Sequence, residues 1–522
     1  MKKIQELQQV KGDAYDYYIA GNEDTDLFEK IFLVDDIVEE ICKPDKYFLI
    51  GEKGSGKTAY SVYMSKSDKI NSFCSISLVE NTLYQRFLNM KRQKALELSS
   101  FKDVWINLIY LILAEKIRKE YGETFFSSIK YKQLSKAIDV FYSDAFKPEF
   151  VNAFEFVDNA SASINSMMKQ GLFSTGTKAS AETSQKYVEQ SFQISLLKIR
   201  DGFEKAFMSV NLKKPTILFV DGIDARPRDI DNEQYFECLV GLVNAVLEMN
   251  QSFLKEKQIK IMLLIRPDIM YKMPVHNMNQ KLRNNSVLLN WVTSYRKYID
   301  SKLFKIADDY FMKQQDYSYE LGECWNYYFP YKVEYQEKRK APDNPFVEFL
   351  RYSLYKPRDI LTMLNEMVDA TSGTQFKHSD FEGILSNYST YLKGELKDYM
   401  LIYMDDSDYN NFSIFFDYFQ GHRNFNYKFF ITNTDTLEYI KYLRELGRKI
   451  PPFMETASEA LQLLYDTNII CYKIYETLPN GKRKNKMFWS YKERNYANMQ
   501  PEVKKGGEYS FHMAYARAFR LF

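Results

Sequence analysis

The residues with the clearest chemical potential are Gly51-Glu-Lys-Gly-Ser-Gly-Lys-Thr58, which fit the pattern Gly-x-x-x-x-Gly-Lys-[Ser/Thr]. That spacing suits phosphate binding. Glycines let backbone N–H groups turn inward around phosphate oxygens, and a following helix adds the partial positive charge of its N-terminus. Lys57 would then reach the outer phosphates, and the Thr58 hydroxyl would ligate Mg²⁺. Four apolar residues, Tyr47 to Ile50, precede the pattern, and a helix-compatible run, Ala59 to Lys66, follows it. This strand–loop–helix context is what the motif requires, and it disfavours the competing reading of an accidental Gly-rich turn. The expected nucleotide contacts are Gly51, Glu52, Lys53, Gly54, Ser55, Gly56, Lys57, Thr58 and Ala59.

A phosphate loop calls for a second feature, an apolar strand ending in an aspartate that holds Mg²⁺. Pro215-Thr-Ile-Leu-Phe-Val-Asp-Gly-Ile-Asp224 supplies one. Thr216 to Val220 form a continuous β-branched and aromatic run, as expected of a strand covered on both faces. Asp221 stands at its C-terminal end, where ligands bind in open α/β sheets. Asp221 and Thr58 are therefore the expected metal ligands. The guanine-reading pattern Asn-Lys-x-Asp is missing, because Asn485-Lys486 is followed by Met487 and Phe488. ATP is the expected nucleotide.

These residues need elements to position them. Further apolar strands are expected at Cys74–Leu78, Lys260–Arg266 and Ser286–Asn290. With the two already named they make five, separated by helix-length segments. The expected fold class is α/β, a five-stranded parallel sheet wrapped by helices. The gap between the second and third strands carries helical patterns near 100–148 and 186–210. A Ser/Thr/Ala/Gly-rich piece, 172–184, joins them, so the gap reads as a helical insertion at about 85–212 with a flexible middle. Lys plus Arg (71) nearly balance Asp plus Glu (69) over 522 residues, so no bulk charge points to nucleic acid or to a membrane surface. Five scattered cysteines, with no C-x-x-C pair, fit buried thiols in a reducing compartment. The N-terminus lacks the apolar run of a signal peptide, and Trp105–Ala114 is about half the length of a membrane span. A cytoplasmic location with no membrane contact is expected.

The loop and Val220-Asp-Gly-Ile-Asp224 are followed in order by Arg266-Pro-Asp268, Leu289-Asn-Trp291 and Lys356-Pro-Arg-Asp359. Together they resemble a little-characterised family of bacterial P-loop ATPases, loosely termed FunZ-like. That family is related to the STAND and AAA+ branches, and some members lie among phage-defence genes. The resemblance implies an ATPase core, a helical lid and a C-terminal winged-helix domain. It would make Arg266 a sensor near the γ-phosphate and Arg358 a second sensor from the lid; a guanidinium offers several fixed donors to phosphate oxygens. Arg266 capping its strand in a salt bridge and Arg358 standing in solvent remain open. Many ATPases of this class place Glu directly after the Mg²⁺ aspartate. Here that position is Gly222 and the next acid is Asp224. Asp224 is expected to position the attacking water, the alternative being that it caps the turn with Arg226 as partner. The similar Asp-Gly-x-Asp arrangement of STAND proteins often accompanies slow turnover.

The expected division is an N-terminal segment (1–40), the ATPase core (41–295), the lid (296–380) and a winged-helix-type domain (381–522). The last is outlined by a helix over Glu455–Tyr465, then two strands, Ile469–Tyr475 and Lys486–Tyr491, flanking the turn Pro479-Asn-Gly481. Lys482, Arg483, Lys484 and Lys486 cluster at the hairpin tip, a patch that would suit DNA phosphates or stand solvated. The leading expectation is a nucleotide-driven switch that hydrolyses ATP slowly and controls a protein effector or a homo-oligomer, with phage defence as its setting. The alternatives are an ATP-dependent, DNA-binding initiator-like or transcription-regulating protein, and a defence scaffold that binds nucleotide without turnover.

Overall fold

The computed structural model describes residues 1–19, 22–79, 101–126, 131–145, 196–224, 226, 232–273, 278–333, 343–434, 438–477 and 483–522. The expected linker at 172–184 and hairpin turn at 479–481 lie outside the described residues.

All five expected strands form, as β1 (Phe48–Ile50), β2 (Phe73–Leu78), β3 (Thr216–Asp221), β4 (Ile259–Ile265) and β5 (Ser286–Leu288). They make one parallel sheet in the order β2-β3-β4-β1-β5. Because side chains alternate across a strand, each strand feeds two cores. Leu49, Ile217, Phe219, Met262 and Leu264 join a core with Tyr60, Val62 and Met64 of the helix Lys57–Lys66. Phe48, Ile50, Leu218, Val220, Leu263 and Ile265 face the opposite core, with Trp105, Ile109 and Leu113 of the helix Phe101–Phe126 and Leu242 and Val246 of the helix Asn232–Asn250. Burial on both faces explains why these strands are continuous apolar runs. The expected insertion supplies Phe101–Phe126, Lys132–Ala145 and helical residues 196–209. The first of these is interrupted at Gly122.

The expected lid region consists of the helices Lys302–Met312, Glu323–Tyr328, Phe346–Tyr352 and Pro357–Ala370. Its Trp325 and Phe329 are core: Trp325 stacks on Phe329 at 4.1 Å and is fully buried. The N-terminal segment packs on these helices as well, with the Ile4 N–H donating to the Gly373 carbonyl and the Val10 N–H to Asn365. The helix His378–Met400 runs unbroken through the boundary drawn at 380/381.

Farther on, Ala457–Asp466 is a helix whose start is fixed by a capping box between Thr456 and Glu459. Strands β7 (Ile470–Thr477) and β8 (Arg483–Phe488) follow as the expected antiparallel hairpin. Two strands escaped the sequence reading, β6 (Asn424–Asn426) and β9 (Glu508–Phe511). They complete a four-stranded sheet, β6-β9-β7-β8, with β8 at its edge. Trp489–Tyr491, read as the end of a strand, instead leads into the short helix Ser490–Glu493.

Candidate functional site

The strand order brings the chemically suggestive residues to one edge of the parallel sheet. The Gly51–Thr58 loop leaves the C-terminal end of β1, and Asp221 ends β3, level with Leu78 of β2. Gly54 and Gly56 take left-handed φ values of 82° and 96°, which a side chain would strain. These turns bring the chain round to the start of the helix Lys57–Lys66.

Thr58 and Asp221, 163 residues apart, meet here: the Thr58 hydroxyl donates to Asp221 Oδ2 at 2.6 Å. The other carboxylate oxygen accepts from the Gly222 N–H at 2.8 Å. Burial and the nearby Asp224 push the Asp221 carboxyl up, against the pull of Thr58 and Lys57. Lys57 is buried, and its ammonium donates to the carbonyls of Gly51 (2.9 Å) and Glu52 (3.2 Å). Burial pushes that ammonium down, while Asp224 and Asp221 pull it back up. The turn after Asp221 is pinned from above, because the Tyr235 hydroxyl donates to the Ile223 carbonyl.

A cavity of about 570 Å³ opens over these groups. Its floor is the loop with Thr58, Asp221, Gly222 and Asp224. One wall is apolar and comes from the N-terminal segment, including Tyr17, Phe28 and Phe32. Another comes from the helices Pro357–Ala370 and His378–Met400, including Arg358, Tyr391 and Glu395. The volume suits a nucleotide-sized ligand, and the mixture of apolar wall and convergent polar groups is typical of small-molecule sites.

Of the predicted residues, Lys57, Thr58, Asp221, Asp224 and Arg358 line this cavity together, with Lys53, Gly54, Gly56 and Ala59 of the loop. Gly51, Glu52 and Ser55 face the other way, into a smaller cavity beneath the loop. Arg266 is placed differently from the expected γ-phosphate sensor. Its side chain is buried away from the large cavity, donates to both oxygens of Asp268 (3.1 and 2.7 Å) and stacks on Tyr399 at 3.8 Å. The Arg266 ion pair holds the Asp268 carboxylate far below its ordinary range, against the burial that opposes it. The capping salt bridge left open by the sequence is the observed arrangement, although in the interior.

Several contributors were given no role by the sequence reading, although Trp291 stands in the Leu289-Asn-Trp291 motif. Trp291 donates its indole N–H to the Ser55 carbonyl at 2.9 Å, bracing the loop from beyond β5. The Arg494 guanidinium pairs with Glu52, and its other nitrogen donates to the Asp466 carbonyl at 3.0 Å. Glu395 and Asp398 hold Lys53 and Arg358. Nothing local marks these contacts. Trp291 and Ser55, Arg494 and Glu52, and Glu395 and Lys53 are each hundreds of positions apart, and only the folded chain joins them.

At the β7–β8 hairpin, Lys486 is exposed and pairs with Glu476 at 3.4 Å. Lys482 lies outside the described residues. Among the described residues, no group of three or more His, Cys, Asp or Glu side chains could hold a metal ion, and no helix is long and apolar enough to cross a membrane. Comparison with known protein families, curated proteins and solved structures returns no match.

Proposed function

We propose that this chain is a P-loop ATPase that binds Mg·ATP and hydrolyses it slowly, acting as a switch. The observation that carries the reading is the 2.6 Å contact between Thr58 and Asp221 beside the buried Lys57. One hydroxyl and one carboxylate form an all-oxygen donor pair. That suits Mg²⁺, which keeps several waters and takes remaining ligands from substrate phosphates. Bound there, the ion would neutralise charge on the outer phosphates.

The chain's own groups divide the remaining work. Lys57 exchanges its two carbonyl partners for phosphate oxygens. Asp224, on the cavity floor one turn beyond Asp221, orients the attacking water and takes its proton. Arg358 contributes from the lid wall. The apolar wall of Tyr17, Phe28 and Phe32 accepts the base. Lid and winged-helix identities for the C-terminal half, and control of a protein effector or assembly in phage defence, belong to this proposal with the FunZ-like resemblance. A second reading, DNA contact through Lys482, Arg483, Lys484 and Lys486, is favoured by the place of β8 at a free sheet edge with Lys486 exposed.

The test is phosphate release. Asp224→Asn keeps the side chain's size and loses its basicity, so ATP affinity is retained and turnover falls about a hundredfold. Release at the wild-type rate would make Asp224 structural.

A further inference from the structure

Four cations line the large cavity, Lys11, Lys53, Lys57 and Arg358. Five acids line it too: Asp13, Asp221, Asp224, Glu395 and Asp398. A site for a polyphosphate therefore carries enough carboxylate to neutralise its own cations. The distribution of the pairs is uneven. Lys57 is held by backbone carbonyls, which it can leave without stranding a charge. Lys53 and Arg358 are both held by Glu395, one on each carboxylate oxygen: Lys53 Nζ to Oε1 at 3.3 Å and Arg358 Nη1 to Oε2 at 3.3 Å. All three side chains are between one-fifth and one-third exposed. Asp398 adds a second contact to Lys53 at 3.1 Å.

Arg358 is rooted on the loop itself. Its backbone N–H approaches the Gly54 carbonyl at 3.4 Å, and its Cβ lies 3.2 Å from where a Cβ on Gly54 would stand. Its guanidinium therefore starts beside the loop, lines the cavity and reaches Glu395 on the helix His378–Met400. Glu395 supplies two anionic oxygens that bridge two cations, the same service that non-bridging oxygens of a phosphate perform.

We propose that Glu395 is a built-in surrogate for phosphate: it occupies Lys53 and Arg358 in the nucleotide-free protein and competes with the incoming nucleotide for them. This rests on the phosphate-loop reading and adds to it a residue that sets affinity and graded selectivity for phosphate number. Glu395 is a positioning residue, acting through Arg358 and Lys53. Releasing a guanidinium from a carboxylate is offset only by a new anion, so the competition is felt by ligands whose phosphates reach Lys53 and Arg358, most by ATP, less by ADP and not by AMP.

Calorimetric titration of the full chain with AMP, ADP and Mg·ATP tests this. Glu395→Gln keeps the shape and removes the charge. ATP affinity should rise about fivefold, the scale of one partly exposed ion pair, with a smaller gain for ADP and none for AMP. Glu395→Ala should move affinity in the same direction, and serves if the glutamine variant folds poorly. In a Lys53→Ala/Arg358→Ala background, Glu395→Gln should change affinity less than twofold, because the coupling has been removed. Unchanged or weaker ATP binding in both Glu395 variants overturns the proposal, as does an equal gain for AMP. The underlying reading fails separately, if Lys57→Ala binds ATP as the wild type does.

Discussion

Asp221 is asked to do two incompatible things. It sits at the end of a buried strand, where an uncompensated negative charge is costly, and under the proposed function it would have to be charged to hold Mg²⁺. Burial and the neighbouring Asp224 both disfavour its ionised form, and the Thr58 hydroxyl and Gly222 N–H offset only part of that. Function here opposes stability. Asp221→Asn is therefore expected to raise the thermal midpoint of the nucleotide-free protein while removing the Mg²⁺-dependent part of ATP binding. Differential scanning fluorimetry without ligand, paired with titrations in Mg²⁺ and in EDTA, reads both. A variant that melts lower would mean that the carboxylate's hydrogen bonds outweigh its desolvation. The two readings of Arg266 show what residue type alone leaves open. Its place at the end of β4 and the acid two residues on, Asp268, were legible, but its stacking was not, because Tyr399 arrives only when the helix His378–Met400 packs there.

At the scale of elements, the parallel sheet was readable because each strand is a short, uninterrupted apolar run ending near a chemical residue. All five appear within a few residues of their expected limits. The helix and hairpin of the C-terminal region were readable for similar reasons, the helical spacing of Ala457, Leu461 and Leu464 and two β-rich runs around Pro-Asn-Gly. By contrast, β6 and β9 are three and four residues long, and their alternation is too brief to register. Trp489 to Tyr491 carry strand-like residue types, yet the chain turns into a helix there, so tertiary packing overrode propensity.

The same scale holds the contact that ties the C-terminal region to the Gly51–Thr58 loop. Arg494 follows the helix Ser490–Glu493 and is almost fully buried against Glu52, itself largely buried. Asp466, pushed up to about 6 by burial despite the pull of Arg494, lies in the same group. Removing one member of a buried pair strands the other. Arg494→Met should thus cost about 3–5 kcal/mol of stability, and adding Glu52→Gln should restore much of it. Urea denaturation of the single and double variants decides this; equal losses in both would mean that Arg494 acts through packing alone.

For the whole molecule, the boundaries expected at 40/41, 295/296 and 380/381 do not interrupt the interior. One hydrophobic core runs from Ile4 through Leu49 and Tyr60, past Trp325 and Ile360, to Leu464 and Phe511. The cavity sits where this core meets the loop, walled by the N-terminal segment on one side and the two long C-terminal helices on the other. A ligand there touches every part of the division at once. Under the proposed function, a phosphate's arrival or loss would be felt by Arg358 and Glu395 on one wall, and through Glu52 by Arg494. The central claim is that the loop holds nucleotide phosphates through Lys57. Its most direct measurement is calorimetric titration of the wild type and Lys57→Ala with ATP in Mg²⁺, with circular dichroism to establish that both are folded. Saturable binding by the wild type, weakened at least a hundredfold in the variant, is the predicted result; equal affinity in a folded variant would contradict it.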